Sequence, residues 1–298
     1  MEEAKRKVAV VHHNDADGFG AAFAVWKSLA ATCELLFIKV QYGQEPPHKE
    51  LNEFGAEKIF IVDFSHDAAT LTILQETYTQ DLTVIDHHKT ALPELQKWLP
   101  DNNVNPGAGS YFFDLEMSGA TLTWMMFNED PESIPEILLY VQDRDLWKWE
   151  LENSREINTF IATLPEDFEV WDDFYMPEAY DSGKAILRFQ AMQIERRLKD
   201  VVVRRFLVPA TSSDVYDIDF AGIPCVNASE NISELGEAMC LAYPDAPFSV
   251  SYADRADGKR SYSLRSRNGF DVSAVAKAFS GGGHPGAAGF TLDAPDII

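Results

Sequence analysis

Three short apolar runs in the first ninety residues share one design. Val8-Ala9-Val10-Val11, Ile59-Phe60-Ile61-Val62 and Leu82-Thr83-Val84-Ile85 show no alternation of apolar and polar positions. Runs of that kind suit strands of a parallel sheet covered on both faces. Between them, Ala21 to Ala31 reads as a helix with Ala22, Val25, Trp26 and Leu29 on one face, and Leu71 to Tyr78 as another. Alternating strands and helices predict an α/β domain whose ligands sit beyond the carboxyl ends of the strands. Each run ends on polar residues: His12-His13-Asn14-Asp15-Ala16-Asp17-Gly18, then Asp63, then Asp86-His87-His88.

Further along, Ser118 to Phe127 and Pro135 to Val141 read as helices, the second leading into Gln142-Asp143-Arg144-Asp145-Leu146-Trp147. A long helix over 181–205, carrying Lys184, Arg188, Arg196, Arg197, Lys199, Arg204 and Arg205, follows. After Pro209 the texture changes. Short strands over Val215–Phe220 and Ile223–Asn227 precede a helix over Ile232–Leu241. Phe248–Ala253 and Arg260–Ser266 then alternate across Asp257-Gly258, a hairpin signature. A helix over Asp271–Phe279, the run Gly281-Gly282-Gly283-His284 and a strand over Ala287–Leu292 complete the chain. The organisation predicted is an α/β domain over 1–180, a linker helix over 181–205 and a smaller α/β domain over 206–298.

Composition narrows the class. Of the 298 residues, 46% are hydrophobic and 19 are Phe, enough to fill globular cores rather than leave a disordered chain. The net charge is −23, and it is uneven: residues 1–180 carry 12 Lys and Arg against 33 Asp and Glu, residues 181–298 carry 13 against 15. A surface that grips a long nucleic-acid tract is basic, because neutralised phosphates supply most of the affinity. No such tract is expected as a partner, and the first half is suited to cations. The first residues show no apolar stretch of a signal peptide, and no run is long enough for a membrane span. Three scattered cysteines, Cys33, Cys225 and Cys240, lack any CxxC pair and read as reduced thiols of a cytoplasmic protein.

The candidate chemistry lies at the strand ends. His12 or His13, Asp15, Asp17, Asp63, Asp86, His87, His88 and Asp143 combine carboxylates with imidazoles. That donor mixture suits Mn²⁺, or else Zn²⁺, Fe²⁺ or Co²⁺, better than Ca²⁺. Asp15, Asp17, Asp63 and Asp143 would balance two divalent cations, an arrangement that serves phosphoryl displacement. An EF-hand is excluded, since Phe19 and Trp26 occupy positions that calcium ligation needs. Gly281 to Gly286 satisfies GxGxxG, yet it follows a helix and has too little chain after it for a dinucleotide-binding unit. Such a loop can still bring backbone N–H groups and His284 to a phosphate, and Arg265 could add a bidentate grip.

Taken together, His13-Asn14-Asp15-Ala16-Asp17-Gly18, Val62-Asp63, Asp86-His87-His88, Asp143 and Gly281-Gly282-Gly283-His284 resemble the DHH phosphoesterase superfamily with a C-terminal DHHA1 domain. This group holds RecJ-like exonucleases and nano-RNA/pAp phosphatases. Asp63-Phe64-Ser65, Asp86-His87-His88-Lys89-Thr90-Ala91, Ser118-Gly119-Ala120 and Asp143-Arg144-Asp145-Leu146-Trp147 look closer still to the bacterial phosphohydrolases labelled exopolyphosphatase-related. The resemblance implies an active site in the cleft between the two domains and two Mn²⁺ ions, with Mg²⁺ or Co²⁺ as substitutes. One ion would be held by His13 (His12 in reserve), Asp15 and Asp63. The other would be held by Asp17, Asp63, His87 and Asp143, with Asp63 bridging. His88 would face the scissile phosphate and Asp86 would orient it. Arg265, Gly281, Gly282, Gly283 and His284 would bind the far end of a short phosphate-bearing nucleotide: a 2–5-mer oligonucleotide, pAp or a linear dinucleotide. Exopolyphosphatase, or an inactive nucleotide-binding regulator, stands as the alternative, and a homodimer is left open.

Overall fold

The computed structural model describes residues 4–100, 109–128, 130–208 and 218–293. The chain divides into two compact units, Met1–Leu187 and Arg188–Ile298. Each is an α/β structure built on its own sheet.

In the first unit, β1 (Arg6–His13), β2 (Cys33–Val40), β3 (Lys58–Val62), β4 (Leu82–Asp86) and β5 (Ser110–Phe113) form a sheet of order β2-β1-β3-β4-β5. Every pairing in it is parallel. The helices are α1 (Ala16–Leu29), α2 (His48–Phe54), α3 (Ala68–Thr77), α4 (Leu92–Trp98), α5 (Gly119–Phe127), α6 (Glu136–Asp145), α7 (Ser154–Ile161) and α8 (Phe168–Asp172). The unalternating apolar runs are explained by two cores. Ala9, Val11, Ile59, Ile61 and Val84 pack on one face against Leu51, Leu71, Leu74 and Leu95 of α2, α3 and α4. Val8, Val10, Phe60, Val62 and Ile85 pack on the other face against Ala21, Ala22 and Val25 of α1. A fully buried aliphatic such as Ile61 contributes about 2–3 kcal/mol by leaving water. A charge in its place would break the layer. Strands β2 and β5 extend the sheet beyond the three predicted strands. Both lie at its edges, where a strand buries less, although β2 has an apolar run of its own, Leu35 to Ile38.

Register sets the strand ends level. His12 pairs with Val62, and Val62 with Ile85. The residues that follow, His13, Asp63 and Asp86, therefore emerge side by side. A third core, with Phe19, Phe23, Ala120, Trp124, Leu138, Val141 and Trp171, binds α1 and α5 to α6 and α8.

The long helix α9 runs Met176–Leu198, earlier at both ends than the predicted 181–205. Chain reversal follows, and Val202–Val208 is a strand, β6, so Arg204 and Arg205 lie on a sheet. The β-branched run Val201-Val202-Val203 accounts for the change. The second unit adds β7 (Ile218–Asn227), α10 (Ile232–Ala242), β8 (Ser249–Asp254), β9 (Lys259–Arg265), α11 (Val272–Ala278), β10 (Gly282–His284) and β11 (Ala287–Asp293). Its sheet order is β10-β11-β9-β8-β7-β6, antiparallel except for β7 with β8. The two predicted strands before α10 are one strand, and Val215 to Asp217 of the first lie outside the described residues. The glycine run is part of a tight hairpin and not an open loop. A Cβ on Gly281 would lie 2.1 Å from the Gly289 carbonyl oxygen, so only glycine fits there. No helix among the described residues is long and apolar enough to cross a membrane.

Candidate metal centre

The site begins where β1 turns into α1. Asp15 caps α1, its Oδ1 accepting the Gly18 N–H at 2.9 Å. Its Oδ2 lies 2.7 Å from His13 Nδ1, and His13 Nδ1 lies 3.7 Å from Asp63 Oδ2. His13, Asp15 and Asp63 thus form one compact donor group. The charges of Asp15 and Asp63 overcome the burial that opposes protonation and push the His13 imidazole up to about 10. His12 points elsewhere. Its Nδ1 meets the His13 carbonyl oxygen at 2.9 Å, its ring packs on Phe19, and burial drives it down to about 4. Of the two histidines, His13 is the one that meets Asp15 and Asp63.

A second group shares Asp63. His87 Nε2 lies 3.0 Å from Asp63 Oδ1, 3.4 Å from Asp17 Oδ2 and 3.5 Å from Asp145 Oδ2. Asp17, His87 and Asp145 cluster tightly enough to hold an ion. Asp63 is 1% exposed and its left-handed backbone (φ 54°) aims the carboxylate between the two groups. Such a conformation is uncommon for a side chain other than Gly, Asn or Asp. Burial, then the charges of Asp17 and Asp15, push the Asp63 carboxyl well above the usual range. Burial and the Asp17 charge push Asp145 up to about 6. Asp145 and Asp17 in turn raise His87 against the effect of its burial. Carboxylates crowded this closely in a dry site call for positive charge.

The fit to a cation is tested by two oxygens. Asp63 Oδ2 and Asp145 Oδ2 are buried without a hydrogen-bond donor. Buried acceptors rarely stay unmet, and a metal ion satisfies them where a proton cannot serve all. The donor set, carboxylates with two imidazoles, suits a divalent transition ion.

Asp86 lies beneath. It is fully buried, and its Oδ1 accepts the N–H groups of His87 (2.8 Å) and His88 (3.1 Å) and the His88 Nδ1 proton (2.7 Å). Burial opposes ionisation, but the positive charge at His88 outweighs it and holds the carboxyl below its ordinary range. Asp86 therefore orients His88 through Nδ1.

Asp143, expected among the ligands, lies outside both donor groups. Asp143 uses Oδ1 to accept the Glu150 N–H at 2.9 Å and Oδ2 to accept the Leu151 N–H at 3.3 Å. It closes a loop in which Trp147, Trp149 and Asn153 all have left-handed backbones. Asp145, two residues on, is the carboxylate that reaches His87. The two side chains diverge because α6 turns about 100° per residue. A signal was present in the sequence, since Asp145 continues the apolar stripe of Leu138 and Val141 at helical spacing.

In the second unit, Arg265 pairs with Ala287, and Ala287 with His284, so the predicted phosphate-binding residues occupy one register line across three strands. Arg265 Nη2 donates to Ser233 Oγ at 2.5 Å at the start of α10.

Comparison with known proteins places the chain. The DHH family, N-terminal domain, matches residues 7–142, and the DHHA1 domain matches residues 233–297. The uncharacterized protein R106 of Acanthamoeba polyphaga mimivirus is 29% identical over 96% of this chain and 67% of its own length. The oligoribonuclease NrnB of Bacillus subtilis (strain 168) is 25% identical over 94% of this chain and 71% of its own. Among solved structures, CDC45 from Entamoeba histolytica shares the fold with a TM-score of 0.50 and 7% identity, over 97% of this chain and 92% of that one. With its DHH-family domain followed by a DHHA1 domain, the chain belongs to the DHH phosphoesterase superfamily.

Proposed function

We propose that this protein is a Mn²⁺-dependent phosphoesterase acting on short nucleotides: oligonucleotides of a few residues, pAp or linear dinucleotides. The observation that carries the reading is Asp63. This one buried carboxylate joins His13 and Asp15 on one side to Asp17, His87 and Asp145 on the other. His13, Asp15 and Asp63 would hold one ion and Asp17, Asp63, His87 and Asp145 the second. Bound there, the two ions supply the positive charge that acidifies a water and neutralises the phosphoryl group during displacement. The protein's residues do the rest. Asp86, fixed on Nδ1, turns the His88 ring so that Nε2 meets the phosphate oxygens. Asp63, with its backbone held in a left-handed turn, keeps both donor groups in one frame. Arg265 and His284 hold the end of the substrate away from the reacting phosphate.

Short nucleotides rather than long tracts are supported by the net charge of −23 and by the resemblance over most of the chain to a protein named an oligoribonuclease. The test is an assay with Mn²⁺ against pAp, pApA, RNA and DNA 2–10-mers, cyclic dinucleotides and polyphosphate. Turnover confined to short linear nucleotides supports the reading. Polyphosphate degradation without nucleotide turnover would replace it with the exopolyphosphatase alternative. Nucleotide binding with no turnover of any member would leave a regulator.

A further inference from the structure

The first turn of α5 is the bracket between two carboxylates of the candidate centre. Asp17 Oδ2 accepts the Gly119 N–H at 2.6 Å and Asp17 Oδ1 accepts the Ala120 N–H at 3.0 Å. Gly119 also abuts Asp63: a Cβ there would lie 2.4 Å from Asp63 Cβ and 2.6 Å from Asp63 Oδ1. Any shift of this turn therefore moves Asp17 and Asp63 together. Besides the Ser118 hydroxyl, which caps the turn by accepting the Thr121 N–H, a side chain from another helix holds it. Gln142 Oε1 accepts the Ser118 N–H at 3.1 Å and also the Thr121 hydroxyl proton. Ser118 and Thr121 are fully buried, so water cannot replace Gln142; the Thr121 hydroxyl has the Ser118 carbonyl oxygen at 3.2 Å as a second acceptor, which leaves the Ser118 N–H as the donor that depends most on Gln142. Gln142 lies in the last turn of α6, three residues before Asp145, so the turn that presents Asp145 also clamps the helix that grips Asp17.

We propose that Gln142 is a positioning residue of the metal centre. It ties the first turn of α5 to the end of α6, so that Asp17, Asp63 and Asp145 keep one mutual geometry. The proposal rests on the reading of these carboxylates as metal ligands. The chemistry required at 142 is one acceptor atom for two buried donors. A carboxylate meets it, and a thioether of similar length does not.

The experiment compares Gln142→Met and Gln142→Glu in the full chain. Mn²⁺ binding is followed by titration calorimetry and by the electron paramagnetic resonance of free Mn²⁺, and folding by thermal melts in EDTA. Gln142→Met is expected to melt cooperatively yet bind Mn²⁺ about 10- to 100-fold more weakly, the usual effect of losing a group that holds a ligand in place. Gln142→Glu is expected to restore affinity to near that of the parent. Thr121→Val removes only one of the two donors. It should weaken binding less, in the same direction, and it serves as the loss variant if Gln142→Met does not fold. Loss variants that bind Mn²⁺ like the parent would overturn the proposal, as would failure of Gln142→Glu to restore affinity. A parent chain that bound no Mn²⁺ would remove the metal reading itself, and this proposal with it.

Discussion

The exchange of roles between Asp143 and Asp145 can be decided by a pair of substitutions. Asp145→Asn keeps the volume of a side chain whose Oδ2 lies 3.5 Å from His87 Nε2 and removes its charge. Two unit charges at that separation interact by about 5 kcal/mol at an effective dielectric constant of ~20. Taking the same scale for the carboxylate facing a cation in its donor group, and with desolvation and a replacing water offsetting part of it, about 2–3 kcal/mol is left, or roughly a 30- to 150-fold loss of Mn²⁺ affinity. Without metal the sign reverses. Burial and Asp17 push Asp145 up to about 6, against about 4 for an ordinary Asp. Ionising it in the empty site at pH 8 therefore costs about 2–3 kcal/mol of folding stability, which the Asn variant would recover. Urea denaturation in EDTA at pH 8, with Mn²⁺ calorimetry, reads both quantities. Asp143→Asn should behave in the opposite manner. It loses charge-assisted acceptors for Glu150 and Leu151, worth about 1–3 kcal/mol each, and so destabilises the apo fold. Unchanged Mn²⁺ affinity in Asp145→Asn, with affinity lost in Asp143→Asn, would refute the assignment.

Asp63→Asn retains the left-handed backbone but removes the shared charge, so Mn²⁺-dependent turnover should fall more than about 100-fold, beyond the usual loss for residues behind the ligands; near-normal turnover would end its bridging role. His13→Gln should weaken Mn²⁺ binding, whereas His12→Gln should lower the melting temperature in EDTA and leave affinity close to normal. The raised carboxyl of Asp145 also gives a pH dependence: the native apo protein holds a proton that the unfolded chain releases near pH 4. Measured against Asp145→Asn, which shares every other titrating group, the parent's apo stability should therefore decline as pH rises from about 4 through about 6, and saturating Mn²⁺ should raise the parent's melting temperature more at pH 8 than at pH 5. An equal Mn²⁺ shift at both values would contradict the charge account. If Arg265 grips the non-reacting end of the substrate as proposed, Arg265→Ala should mainly raise KM, since such a contact acts in the ground state as well; a fall in kcat alone would exclude that role.

The parallel sheet was legible because its central strands are buried on both faces, and Ile59 to Val62 has to be apolar throughout for that reason. The edge strand β2 carries an apolar run of the same kind, Leu35-Leu36-Phe37-Ile38, but it is only half-buried and ends on no acidic or imidazole residue, so it was passed over. The end of α9 was passed over too. Basic residues on both sides, Arg196 to Lys199 and Arg204 to Arg205, masked the β-branched run Val201-Val202-Val203 at which helix gives way to the pairing of β6. At the candidate site, His13, Asp15, Asp17, Asp63, Asp86, His87 and His88 could be expected together because each lies at or just after the end of a strand, and parallel strands of matched register deliver their ends to one place. The sequence by itself therefore determined the fold class, the kinds of donor atom and the strand ends that carry them. Which histidine of the pair His12-His13 meets Asp15 and Asp63, and whether Asp143 or Asp145 meets His87, depended on the direction in which each Cβ leaves its element. Neighbours two residues apart on a helix point to nearly opposite sides, and adjacent residues on a strand do the same. Only the packed tertiary structure decides which side faces the metal site.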